Sequence, residues 1–158
     1  MQEIIIFISR EVFSSLALVL IILFVMVDML RRGFLREAIL VVGGFFVTLL
    51  LIVVLKVYFH VPRPEDALVM LGGYAFPSGH ATSVVFLAYV LWFYVTKILC
   101  MTKKVVPVLL VVLVLLVGAS RLYLGVHTVF QVLSGYALGA IVSFFLLFLL
   151  NKSDRFAR

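Results

Sequence analysis

Apolar runs of about 20 residues recur along this chain, and between residues 56 and 131 short polar islands interrupt them. Each run is long enough to cross a hydrocarbon core roughly 30 Å thick. In that medium the backbone must satisfy its own hydrogen bonds, so such runs predict transmembrane α-helices. With 66% hydrophobic residues and a mean hydropathy of +1.33, a soluble globular domain is excluded. The 158 residues leave room for a single all-α membrane domain, a polytopic bundle spanning 1–158.

Five spans are expected, at about Val12 to Leu30, Glu37 to Tyr58, Gly79 to Leu99, Val105 to Leu122 and His127 to Leu150. Ile4 to Ile8 is too short to span and reads as an interfacial helix, the alternative being an extension of the first span. A signal peptide is not expected, because Glu3 and Glu11 flank Arg10 and no small-residue cleavage site follows. Gly43-Gly44, and Gly135 with Gly139 in a G-x-x-x-G pattern, read as places where a neighbouring helix comes close. Ser78 stands where the third span should have its N-cap, and Pro107 is tolerable in the first turn of the fourth. Asp28 is expected to pair with Arg31 or Arg32.

The net charge of +6 points to topology rather than to nucleic acid, because the aromatic residues lie inside the apolar spans. Nine of the 13 basic residues fall at one side: Arg31, Arg32, Arg36, Lys97, Lys103, Lys104, Lys152, Arg155 and Arg158. Positive residues mark the cytoplasmic side, so the three islands would face outward, toward the periplasm of a bacterial inner membrane. Cys100 is the sole cysteine, which leaves no intrachain disulfide. No Cys/His cluster has zinc spacing, and the carboxylates are few and scattered, so neither metal nor cofactor is expected.

The islands are Lys56 through Arg63-Pro64, Pro77-Ser78-Gly79-His80, and Ser120-Arg121 through His127 to Gln131. Ionisable groups at membrane depth are costly and read as functional. Lys56, Arg63 and Arg121 supply three cations, and Ser78-Gly79 opens a helix whose unpaired N–H groups favour an anion. That set suits a phosphoryl group better than a carboxylate. Two histidines, His80 and His127, then suggest reaction rather than binding alone, one as nucleophile and one as proton donor. His60 lies outside this pattern and reads as a loop residue.

These islands resemble the three-part signature of the type 2 phosphatidic acid phosphatase family, membrane phosphatases related to vanadium haloperoxidases. Its parts are K-x6-R-P, P-S-G-H and S-R-x5-H-x3-D. The first two stand complete at Lys56–Pro64 and Pro77–His80. The third runs Ser120-Arg121, His127 and then Gln131 where the family has aspartate. The resemblance implies that His127 is the nucleophile, forming a phosphohistidine, and that His80 is the general acid. It implies that Lys56, Arg63, Ser78, Gly79 and Arg121 hold the phosphoryl oxygens.

Gln131 can lie beside His127 at i, i+4 and fix its tautomer, but it brings no negative charge. Glu65 and Asp66 are the nearest carboxylates that could substitute. The expected function is hydrolysis of a lipid phosphate or diphosphate at the membrane. Candidate substrates are lipid A 1-phosphate, undecaprenyl diphosphate and phosphatidylglycerol phosphate. Lipid A ranks first because so small a chain has little bulk to close over a headgroup. The alternative is a non-catalytic phospholipid binder, motivated by Gln131.

Overall fold

The computed structural model describes residues 15–153, apart from 70 and 101–104. The expected interfacial helix at Ile4–Ile8 lies outside these residues. Every regular element of the described residues is helical. Helix α1 is Ser15–Arg31, α2 Leu35–Phe59, α3 Gly79–Phe93, α4 Val105–Tyr123 and α5 Val129–Ser153. A π-helical turn, Tyr94–Ile98, prolongs α3. Helices α2, α4 and α5, and α3 with its extension, are each long and apolar enough to cross a bilayer. The protein is an integral membrane protein: five helices fall where five spans are expected, and four of them meet that length among the described residues, while α1 is described over only 17 residues. The fifth begins at Val129 rather than His127, which leaves His127 in the preceding loop.

The burial pattern is that of a protein solvated by lipid. Phe24, Phe46, Leu109, Leu116 and Phe144 project outward, while Met29, Val41, Phe86 and Val90 are buried at the centre. Helix α3 is the hub, packed on α1, α2, α4 and α5. Its contact with α5 is made backbone to backbone. A Cβ at Gly135 would stand 2.6 Å from the Ser78 carbonyl oxygen, and one at Gly139 would stand 2.5 Å from that of Thr82. The small-residue pattern is thus a packing face, as read. In the earlier glycine pair only Gly44 meets a neighbour, the Phe86 ring at 3.2 Å, while Gly43 faces open space.

At the end bearing Arg31, Arg32 and Arg36, Asp28 accepts from Arg32 Nε at 2.5 Å and from the Tyr94 hydroxyl at 2.6 Å. The expected pairing of Asp28 is therefore present, with a partner from the π-helical turn added. The opposite end carries all three polar islands.

Candidate active site

Lys56 lies in the last turn of α2, and its Nζ donates to the Tyr74 carbonyl. Helix α2 stops at His60, which adopts a left-handed conformation (φ 50°) with its N–H on the Lys56 carbonyl. The His60 ring packs edge-on against Tyr74, with centroids 4.6 Å apart. The following loop is closed by Ala75 N–H to Val61 O at 2.8 Å and tied to the end of α4 by Leu68 N–H to Leu124 O at 2.9 Å. Arg63 crosses this loop. It donates to Gly72 O at 3.3 Å, to Val126 O at 3.2 Å and to His127 Nε2 at 3.4 Å. One guanidinium thereby joins the first island to the third.

The second island is joined to the third through the main chain, by Ser78 N–H to Gln131 O at 3.1 Å. Ser78 holds the N-cap position of α3, but its side chain makes no capping bond, which corrects the expected cap. Its Oγ is fully buried and has no partner among the described residues. The Ser78 carbonyl accepts instead, from Thr82 N and Thr82 Oγ1. Gly79 follows, with Ile52 and Lys56 of α2 at van der Waals distance from where a Cβ would sit. Arg121 is buried, and its Nε donates to Ser120 Oγ at 3.2 Å.

His127 and Gln131 form a defined pair. Gln131 Oε1 accepts from the Thr128 backbone N–H at 3.0 Å. A backbone N–H can only donate, so the amide oxygen, not its nitrogen, faces this way. The same oxygen lies 3.2 Å from His127 Nδ1, which therefore carries the proton. On the other side Arg63 Nη1, also only a donor, faces Nε2, which must present its lone pair. Burial first, then the Arg63 charge, pushes the His127 pKa down to about 4. The ring is neutral at physiological pH, with its lone-pair nitrogen turned toward Arg63. Burial also lowers Arg63 from its ordinary value.

A cavity of about 240 Å³ opens here, with Lys56, Arg63, Gly79, His80 and His127 around it. Beneath them its floor is Leu18, Leu49, Ile52 and Ser83. Five of the eight expected site residues thus line one space. Gln131 lies behind His127, while Ser78 and Arg121 are buried and do not line it. Among the described residues no carboxylate reaches Lys56 or Arg63. Their hydrogen bonds go to backbone carbonyls and to His127. Among the described residues the space therefore carries positive charge with no carboxylate against it, an arrangement that attracts anions.

The sequence model of the PAP2 superfamily matches residues 37–155, a stretch holding all three islands. The chain belongs to the PAP2 superfamily. It is 37% identical over 107 residues to phosphatidylglycerophosphatase B of Bacillus subtilis (strain 168), covering 65% of this chain and 53% of that protein. It thus spans about half the length of that curated relative. The crystal structure of a transmembrane PAP2-type phosphatidylglycerolphosphate phosphatase from Bacillus subtilis superposes with a TM-score of 0.84 at 31% identity. That likeness covers 95% of this chain and 76% of the other.

In this PAP2 chain the partner of His127 Nδ1 is Gln131, not Asp66 or Glu65. Three contributors escaped the sequence reading: the Tyr74 carbonyl, the Thr128 N–H and Ser83. The first two are main-chain groups and leave no trace in residue identity. Ser83 carries one signal, its place three residues after His80 on the same helix face.

Proposed function

We propose that this PAP2 protein is a lipid phosphatase that works through a phosphohistidine on His127, with phosphatidylglycerol phosphate as its favoured substrate. The observation that carries the reading is the neutral His127, proton on Nδ1, with Nε2 facing a cation-lined cavity. In the first half-reaction the Nε2 lone pair attacks phosphorus, and the P–O bond to the lipid alcohol breaks. Protonated His80 gives its proton to the departing oxygen. In the second half His80 takes a proton from water, whose oxygen attacks the phosphorus; the P–Nε2 bond breaks, its electron pair returns to His127, and inorganic phosphate leaves. Lys56, Arg63 and the N–H groups at the start of α3 stabilise the equatorial oxygens, and Arg121, which does not line the cavity, adds positive charge from within the protein. The cations provide this charge without a metal ion.

The substrate choice rests on the names of the two relatives and replaces the ranking of lipid A by chain size. Arg31, Arg32, Arg36 and Lys97 lie at the end opposite the islands, and this supports a site open to the periplasm of a bacterial inner membrane. Gln131 motivates a non-catalytic alternative, but its hydrogen bond sets the tautomer that attack requires. The decisive experiment is phosphate release in proteoliposomes from phosphatidylglycerol phosphate, lipid A 1-phosphate and undecaprenyl diphosphate, each with EDTA present. Release from the first, with an acid-labile phosphoprotein trapped on quenching, is expected. Silence on all three substrates, with lipid still bound, would establish the binder instead.

A further inference from the structure

We infer that Ser83 is a specificity-determining residue of this site. Its hydroxyl hydrogen-bonds a free hydroxyl on the alcohol half of the substrate, next to the scissile phosphate. The inference rests on the phosphatase reading above and extends it to a substrate class, phosphomonoesters of a glycerol headgroup.

Position is the first argument. Ser83 follows Gly79 by four residues and His80 by three, so all three lie on one face of α3. Ser83 stands about one turn deeper than Gly79, roughly 5.4 Å toward the membrane centre. It lines the cavity beside Leu18, Leu49 and Ile52, and is the one polar side chain in that floor. The phosphoryl group belongs at the rim with Lys56, Arg63 and the Gly79 N–H, and the departing oxygen belongs within reach of His80. The alcohol half must leave the rim on the lipid side, past the floor and therefore past Ser83.

The state of the hydroxyl is the second argument. Serines and threonines inside helices commonly donate to the carbonyl four residues back. Thr48, Thr82, Thr96, Ser134 and Ser143 all do so here. Ser83 is only 7% exposed, yet its hydroxyl donates to no described residue. Buried hydroxyls are normally satisfied, and a position needed only for its small size would be met by alanine, the better helix former. Ser83 Oγ opens on the cavity, unlike Ser78 Oγ, which is sealed in the protein, and a hydroxyl left uncommitted by its own helix in an apolar floor suits a ligand that supplies the partner.

The chemistry of the partner follows. A glycerol phosphomonoester with a free hydroxyl on the neighbouring carbon places an oxygen about one carbon beyond the scissile bond. An alcohol with only CH₂ there leaves Ser83 unpaired in the complex. Sites built to hydrogen-bond a substrate hydroxyl reject the analogue that lacks it.

The test uses the full chain in detergent micelles and two substrates: phosphatidylglycerol phosphate, and the same lipid with the headgroup glycerol replaced by 1,3-propanediol. They differ in one hydroxyl. The unmodified protein is expected to favour the glycerol lipid by about tenfold in kcat/KM, the worth of one such hydrogen bond. Ser83→Ala is expected to remove that preference by slowing the glycerol lipid alone, chiefly through KM. Ser83→Thr, which restores a hydroxyl, is expected to recover part of it. A preference that survives Ser83→Ala, an equal loss on both lipids, or no preference in the unmodified protein would overturn the inference. If the unmodified protein releases phosphate from neither lipid, the choice of phosphatidylglycerol phosphate as substrate falls and takes this inference with it.

Discussion

The cavity at the island end and the groove on the flank of the bundle invert the usual relation between size and chemistry. The groove, between α3, α4 and α5, encloses about 440 Å³, with Val85, Trp92, Pro107, Val111 and Val114 among its walls. None of the motif residues reaches it. The island cavity has about 240 Å³ and gathers two histidines and two cations. The groove lies where α4 and α5 make little contact with one another. Tyr136 reaches across, donates to Val114 O at 2.8 Å and fills the notch at Gly118, where any Cβ would collide with its hydroxyl. In a bilayer such a gap costs little, since lipid tails are as apolar as its walls. Holding Lys56 and Arg63 around a cavity with no carboxylate beside them among the described residues is expensive. Uncompensated charge, rather than volume, is what marks a site in a membrane protein.

The contrast can be broken by mutation, beginning with the residue whose loss should slow the reaction most. His127→Ala should lower turnover by about 10⁴-fold or more, as removal of a nucleophile or its base does elsewhere, with phosphate release as the assay. Arg63→Ala or Arg121→Ala should cost at least about 100-fold in kcat, the scale of losing one transition-state donor. Turnover that survives either change would make the cation cavity a binding feature only.

Gln131→Asp sharpens the comparison in the other direction. A carboxylate on Nδ1 stabilises the imidazolium-like intermediate, and turnover should rise more than about tenfold, unless the shorter side chain fails to reach. The same change must move the acid limb of kcat/KM. Attack requires neutral His127, whose pKa is pushed down to about 4, so activity should fall only as the pH drops through that value. An added negative charge favours the protonated ring and raises its pKa, so the limb should shift to higher pH. An unmoved limb would mean that another group governs it.

The two seams of α3 provide the smaller effects. Gly139→Ala forces a methyl against the Thr82 carbonyl and should cost about 1–3 kcal/mol, read as a lower melting temperature in detergent, despite alanine's better helix propensity. In the groove, Val111→Ala should leave turnover within about twofold of the unmodified protein, as lipid fills the space. A strong loss there would give the groove a role in the reaction.

The spans were legible because a backbone in lipid has few choices, and hydropathy marks where each helix must stop. The site was legible as three spaced motifs because each island stands at a helix end, where charge can reach the surface. What escaped lies in the main chain and in hydroxyl orientation. Ser78 has the identity and position of a cap, yet only the folded structure shows its Oγ uncommitted. The π-helical turn at Tyr94 was hidden as well, since its partner Asp28 is 66 residues away. Gln131 was identifiable as a departure from the family pattern. That its amide oxygen is locked by Thr128 N–H is a fact of three dimensions.

The glycine seam between α3 and α5 bears on how the protein meets membranes of unequal thickness. Helices answer hydrophobic mismatch by tilting, and a pair cushioned by long side chains can tilt by different angles and slide past one another. Gly135 and Gly139 leave no cushion, with carbonyl oxygens of α3 in the space a methyl would need. The two helices that carry His80 and follow His127 must lean as one rigid bar. The distance between the two histidines is thereby uncoupled from bilayer thickness.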